Sequence, residues 1–175
     1  MKNLLLALSV VFVTAAANAG GFIEPYIGIM KGTLKQGGGA PDLDTKGNSL
    51  GLRAGYQMVI PWVALDVKMT KGTLDSSPEA DISYTDVGVT VGASVPFVRP
   101  YIGYIPKAKT KVEVSGGASG DYEGTGLKLG LGIKILPLVD INIEKVDYTF
   151  KEYDGADLPE DEKHETLTFG LGITF

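Results

Sequence analysis

Leu127-Lys128-Leu129-Gly130-Leu131-Gly132-Ile133-Lys134-Ile135 alternates without a break, and Leu167-Thr168-Phe169-Gly170-Leu171-Gly172-Ile173-Thr174-Phe175 closes the chain the same way. Leu127, Leu129, Leu131, Ile133 and Ile135 share one parity, and Gly126, Lys128, Gly130, Gly132 and Lys134 the other. Strict alternation over nine residues is a half-buried strand and not a helix, because successive side chains on a strand point to opposite faces. The same pattern, in places weaker, predicts eight strands near 22–33, 49–58, 63–71, 84–95, 99–106, 124–135, 139–150 and 166–175. In the seventh, Ile141 and Ile143 lie on one parity and Val146, Tyr148 and Phe150 on the other. That slip predicts a bulge near Glu144–Lys145.

The connections alternate in length. Ile60-Pro61-Trp62-Val63, Val95-Pro96-Phe97-Val98 and Leu136-Pro137-Leu138-Val139 are short. Proline has no N–H to give a ladder, so it suits a tight turn where pairing has ended. The remaining connections, near 34–48, 72–83, 107–123 and 151–165, are long and polar. Short turns make antiparallel neighbours, so the fold class is all-β, an eight-stranded antiparallel up-and-down barrel.

Composition narrows the setting. The chain has 175 residues, 24 of them Gly, with no Cys, one His and a net charge of −5. The absence of Cys excludes a disulfide scaffold, a Cys-ligated zinc or iron–sulfur site and thiol chemistry. The negative charge argues against nucleic acid as a partner. Lys2, the apolar run Leu4–Val13 and Ala17-Asn18-Ala19 form a secretory signal peptide, giving domains 1–19 and 20–175. Cleavage there leaves 156 residues (175 − 19) with a net charge of −6 once Lys2 is gone.

Sorting charges by parity decides what kind of barrel this is. The face opposite the aliphatic residues carries Glu24, Asp66, Asp86, Asp140 and Glu144 against Arg53, Lys68, Arg99, Lys128 and Lys134. Ten glycines fall on that face too, from Gly28 and Gly51 to Gly170 and Gly172. A lipocalin-like soluble barrel would turn this face to water, where so much glycine costs entropy and packs nothing. A transmembrane barrel explains both features. Eight strands leave room only for side chains, so small residues must alternate with long ones, and charges buried there must pair. Ten residues tilted by about 40° span ~25 Å, the height of an outer-membrane apolar band. Tyr56, Phe97 and Phe175 at one end, and Tyr148 and Phe150 at the other, are expected as lipid-face aromatic girdles.

The last nine residues resemble the C-terminal signature of bacterial outer-membrane β-barrel proteins. The whole mature chain resembles small barrels of the OmpA-transmembrane-domain, OmpX/Ail and OmpW type. The resemblance implies export, periplasmic chaperones, and insertion by the barrel-assembly machinery reading Phe169, Leu171, Ile173 and Phe175. It also implies an outer-membrane location, with periplasmic termini and long loops outside. The chain is expected to be a monomer in contact with outer-membrane lipid.

Functional chemistry is sparse. His164 stands beside Glu162 and Glu165, with no serine within a dozen residues, and reads as a solvated loop histidine. No catalytic residue, metal site or cofactor is expected. Lys151–Glu165 holds seven acidic residues against two lysines, and is read as a solvated loop that Lys107, Lys109 and Lys111 could face across the mouth. Lys31, Lys35, Lys71 and Lys145 have outward parity at the strand ends and are candidates to contact lipopolysaccharide phosphates. The sequence thus points to a structural or surface-interaction role with a lumen plugged by paired charges. A narrow channel and a lipid-modifying enzyme are the alternatives.

Overall fold

The computed structural model describes residues 20–35, 41–58, 60–76, 80–114 and 119–175. The signal segment lies outside them. Eight strands form one closed antiparallel barrel in chain order: β1 (Gly21–Lys35), β2 (Leu43–Gln57), β3 (Pro61–Leu74), β4 (Ala80–Ala93), β5 (Val98–Val114), β6 (Ser119–Leu136), β7 (Val139–Tyr153) and β8 (Ala156–Ile173). β1 closes on β8, and Ile23 and Phe175 exchange backbone hydrogen bonds at the seam.

The register sets the dimensions. From Ile29, the ladder through β2, β3, β4 and β5 arrives at Asp121 on β6. The ladder the other way, through β8 and β7, arrives at Leu131. The stagger is therefore ten residues (131 − 121). With strands ~4.8 Å apart and ~3.3 Å per residue, eight strands so staggered tilt by about 41°. The radius is then about 8 Å, wide enough for side chains and little else.

The expected outward aliphatic face is exposed through the lower and middle wall: Ile29, Leu50, Leu65 and Leu129 are each about 60% exposed (61–64%). Each exposed charged side chain among the described residues lies toward the opposite end from the proline turns. The turn end is instead lined by exposed Met58, Ile60, Val95, Phe97, Leu136 and Leu138.

Three expectations are corrected. First, the strands run far beyond the expected limits, so most of the polar stretches between them are strand and not loop. Lys151–Glu165 is the top of the β7–β8 hairpin, with Tyr153 paired to Ala156. Its turn, Asp154-Gly155, has φ of 49° and 79°, the two positive values of the tight hairpin turn that matches strand twist. Second, β7 has no bulge at Glu144–Lys145; Glu144, Lys145 and Val146 pair in unbroken register with Thr168, Leu167 and Thr166. Third, Tyr148 and Phe150 are not girdle residues: they point inward with Val146 and are buried. The apparent slip arises because the apolar face changes sides. Near the turns, lipid lies outside and the lumen is charged. Above the lipid band, water lies outside and the lumen is apolar. Register shifts occur elsewhere: on β7 only past Phe150, before Glu152, and on β5 between Ile105 and Ala108, where Pro106 has no N–H to give.

Candidate functional site

Even-numbered residues on β1, β3, β4 and β7 and odd-numbered residues on β2 and lower β5 point inward. This parity brings nine of the ten expected lumen charges together in one continuous network. At the turn end, Arg99 Nη1 lies 2.9 Å from both Asp140 Oδ2 and Glu24 Oε2. Glu24 Oε1 accepts from Arg53 Nη1 at 2.9 Å and from Asn142 Nδ2 at 3.2 Å. Arg53 continues to Asp66 at 3.3 Å and Glu144 at 3.6 Å. Lys128 sits 2.7 Å from Asp66 and 3.3 Å from Glu144. Lys68 joins Glu144 at 2.9 Å to Asp86 at 3.5 Å, and the Tyr148 hydroxyl donates to Asp86 at 2.6 Å. All nine are buried, with Glu24 at 0% and Arg53 at 1% exposure.

Lys134 is the exception. It is half-buried beside a register shift between Lys134 and Leu136, and forms no ion pair among the described residues. Asp140, opposite it across the ladder, is taken by Arg99 and Thr174. The network therefore holds five carboxylates and four cations, not five and five.

Glycine makes room for the rings that close this layer. Tyr26 lies opposite Gly51, and Tyr101 opposite Gly130. A Cβ on either glycine would stand 2.1 Å from the facing tyrosine ring. Each ring thus lies over the bare backbone of its neighbour, and its hydroxyl donates to the network, Tyr26 to Asp66 and Tyr101 to Glu144. The Arg53 guanidinium stacks 4.6 Å from the Tyr101 centroid, and Arg99 5.0 Å from that of Trp62. Such contacts strengthen when water is excluded.

Above Asp86 the lumen is filled mainly by packed rings and aliphatic side chains. Ile105, Ala108, Val146, Tyr148 and Phe150 pack as one cluster, and Leu34, Leu74 and Ala80 as another. A gap among Leu34, Ile82, Tyr84, Phe150 and neighbours measures about 10 Å3. That is at the lower edge of what one water needs.

His164 is not a solvated loop residue; it is fully buried here, stacked 5.3 Å from Tyr84 and 6.0 Å from Tyr148. Its Nε2 lies 2.9 Å from Thr45 Oγ1. Its Nδ1 has no partner among the described residues. A nucleophile–base pair needs an orienting acid and a route for substrate; among the described residues no acid partners Nδ1, and His164 and Thr45 are both buried.

On the outer wall, Lys35 donates to Glu165, which also sits 3.4 Å from Lys145. These ammonium groups hold the Glu165 carboxyl below the usual carboxylate range, and the carboxylate raises Lys35 in turn. Lys145 is held by Asp147 as well, at 2.9 Å. Lys31 and Lys71 are exposed and form no ion pair among the described residues. Lys107 and Lys109 pair with Glu123, and Lys111 with Glu113, so none of the three answers the acidic hairpin across the mouth. Lys46 was not among the candidates. It stands directly opposite Lys31 across the β1–β2 ladder, in a stretch whose polarity read as loop. Phe169, Leu171 and Ile173 face outward, and Phe175 is half-buried at the seam.

The family model described as the outer membrane protein beta-barrel domain matches residues 4–175. No curated protein matches the sequence. Among solved structures the chain is similar to Neisserial surface protein A (NspA), with 18% identity and a TM-score of 0.61, covering 90% of this chain and 98% of that one. It is similar to Ail, the attachment invasion locus protein of Yersinia pestis, with 19% identity and a TM-score of 0.62, covering 90% and 99%. Ail in complex with the heparin analogue sucrose octasulfate gives 20% identity and a TM-score of 0.62, covering 89% and 99%. At these identities the likeness is one of fold.

Proposed function

The chain belongs to the outer-membrane β-barrel protein family, and on that premise we propose that it is a non-enzymatic barrel with a plugged lumen, serving the outer membrane as a structural and surface-interaction protein. The observation that carries this reading is the filled interior, a nine-member charge network capped by packed rings and aliphatic side chains. A path for ions would need the network opened and the packed half above it parted together. Burying a charge without its partner costs several kcal/mol, so neither happens cheaply.

The proline-turn end faces the periplasm in this reading, with both described chain ends, and the long hairpins face outward. The one-sided distribution of exposed charge supports that orientation. In this setting the barrel-assembly machinery and periplasmic chaperones are the partners in biogenesis, Phe169, Leu171, Ile173 and Phe175 form the assembly signal, and the protein acts as a monomer. The extended β5–β8 hairpins are then the surface offered to the exterior.

Planar-bilayer recording on the refolded full chain tests the plug. No unitary conductance is expected at moderate voltage. Sustained steps would replace the plugged barrel with a narrow channel.

A further inference from the structure

Three near-parallel rings stand in the lumen above Asp86: Tyr84, Tyr148 and His164, each pair of centroids no more than 6.0 Å apart. A Cβ on Gly32 would lie 2.8 Å from both His164 Nε2 and Thr45 Oγ1, so bare backbone on β1 makes room for the histidine and its partner. The Thr45 hydroxyl donates to Met30 Sδ at 3.9 Å, and its oxygen is left to accept from Nε2–H at 2.9 Å. That assigns the tautomer. Nδ1 is the bare nitrogen, and it has no partner among the described residues. A proton taken up by His164 goes to Nδ1.

The surroundings are set against that proton. His164 is fully buried, three residues beyond the row that pairs Leu167 with Lys31. From β1, β2 and β5 the described inward residues around it carry no charge, Leu34, Thr45 and Thr110 among them. Charged or titratable groups come from the other strands: Lys68 on β3, Tyr84 and Asp86 on β4, Tyr122 on β6, Tyr148 on β7 and Glu162 on β8. Lys68 is a like charge. Burial raises the phenols of all three tyrosines, so none supplies a negative charge. Asp86 is engaged by Lys68 and by the Tyr148 hydroxyl. Glu162 is the next inward residue toward the mouth, and its Oε2 is buried with no partner among the described residues. Burial raises its carboxyl, so it sheds its charge as pH falls and does not stay as a counter-ion. Burial, and after it the Lys68 ammonium, therefore depress the His164 imidazole to about 4.

We propose that His164 is an acid-operated latch on the outer half of the plug: protonation at Nδ1 breaks the three-ring cluster and loosens the packed half above Asp86, while the charge network beneath stays closed. The latch rests on the filled lumen proposed above. Once released toward the mouth, the ring regains water and takes a proton at its ordinary value near 6.5; stacked in the lumen, it refuses one until about 4. The neutral, stacked form loses ground as pH falls through that interval, and the equilibrium moves toward opening. With those two values, opening is about 60-fold more favoured at pH 4.5 than at pH 7. The network beneath has no such exit, since each of its five carboxylates holds a cation.

The test is peptide-resolved hydrogen exchange on the full chain refolded in lipid vesicles, at pH 7 and pH 4.5, with labelling times scaled to the intrinsic rate at each pH. In wild type the segments carrying Tyr84, Tyr148 and His164 should exchange about 60-fold faster at the lower pH, and those carrying Arg53 and Asp66 should keep their protection. H164F keeps a ring, H164Q keeps a donor for Thr45, and neither titrates. Their upper segments should exchange alike at both pH values. Acceleration in both variants as large as in wild type would assign the opening to other groups and overturn the latch. So would acceleration of the Arg53 and Asp66 segments along with the upper ones, which is general acid unfolding. Carbon-13 NMR of labelled histidine gives a single resonance, because the chain has one His. Its midpoint should lie below the ordinary histidine value, and an ordinary midpoint would put the ring in water and overturn the latch. Heat-modifiable gel migration confirms that each variant is folded. Unitary steps in bilayers at pH 7 would fault the plug itself, whereas a closed barrel whose upper half ignores acid faults the latch alone.

Discussion

Replacing Arg53 by methionine removes the hub of the lumen network while filling most of its volume. Arg53 touches Glu24, Asp66 and Glu144 at 2.9, 3.3 and 3.6 Å and lies over the Tyr101 ring. None of the three carboxylates is orphaned by its loss: Glu24 keeps Arg99, Asp66 keeps Lys128, and Glu144 keeps Lys68. The balance shifts from four cations against five carboxylates to three against five. Breaking a buried pair costs about 3–5 kcal/mol, and the surviving partners place Arg53→Met near the low end, ~3 kcal/mol. Adding Asp66→Asn restores the original excess of one carboxylate, so the double variant should recover ~1 kcal/mol or more. Urea unfolding in lipid vesicles reads this directly, because Trp62, the single tryptophan, lies 5.8 Å from the Arg53 guanidinium and reports on the same layer. A single variant within 0.5 kcal/mol of wild type would refute the account of the hub. So would a double variant no more stable than the single.

Two further outcomes follow from the geometry. Gly130→Ala places a methyl group where the Tyr101 ring lies, so it should destabilise by about 2 kcal/mol through overpacking; pairing it with Tyr101→Leu should recover part of that loss, and no recovery would point to the backbone instead. Glu165, whose carboxyl is lowered by the hydrogen bond from Lys35, contributes to stability above its unfolded value and loses that contribution as pH falls through the lowered one. Carbon-13 NMR in micelles should find its midpoint below the ordinary glutamate value and moved upward in Lys35→Gln; an unmoved midpoint would count against the pair.

The strands through the lipid band were legible because lipid outside and a charged lumen make the two parities chemically opposite. β6 from Leu127 and β8 from Leu167 show the contrast at nearly every position. It fails where the strands leave the lipid. In Asp44-Thr45-Lys46-Gly47-Asn48 both faces are polar or small, and a true strand looks like a loop. In β7 the contrast survives but reverses, so Tyr148 and Phe150 look lipid-facing in the sequence and point inward in the fold. Parity alone accounts for nine of the ten expected lumen charges, but not for their connections. That Asp140 goes to Arg99 and leaves Lys134 aside depends on a register shift with no marker in the residue types. Asp154-Gly155 was a visible signal for a tight hairpin, obscured by the acidic residues around it.

The reversal along β7 and the charge-free proline turns together fix how deep the molecule sits. From Lys31 to Gly21 there are ten residue steps along β1, about 25 Å of height at ~3.3 Å per residue and the tilt found above. That equals the whole apolar band of an outer-membrane barrel, so nothing is left over on the turn side. The barrel rides like a hull with a painted waterline, lysines just above it and a flush keel of Phe97, Leu136 and Leu138 below. Raising it by two residues would lift Ile29 and Phe169 into water; lowering it would drag Lys31 into hydrocarbon. A thicker bilayer therefore has to thin around this protein, since tilt is already used by the strands and the rim offers no slack.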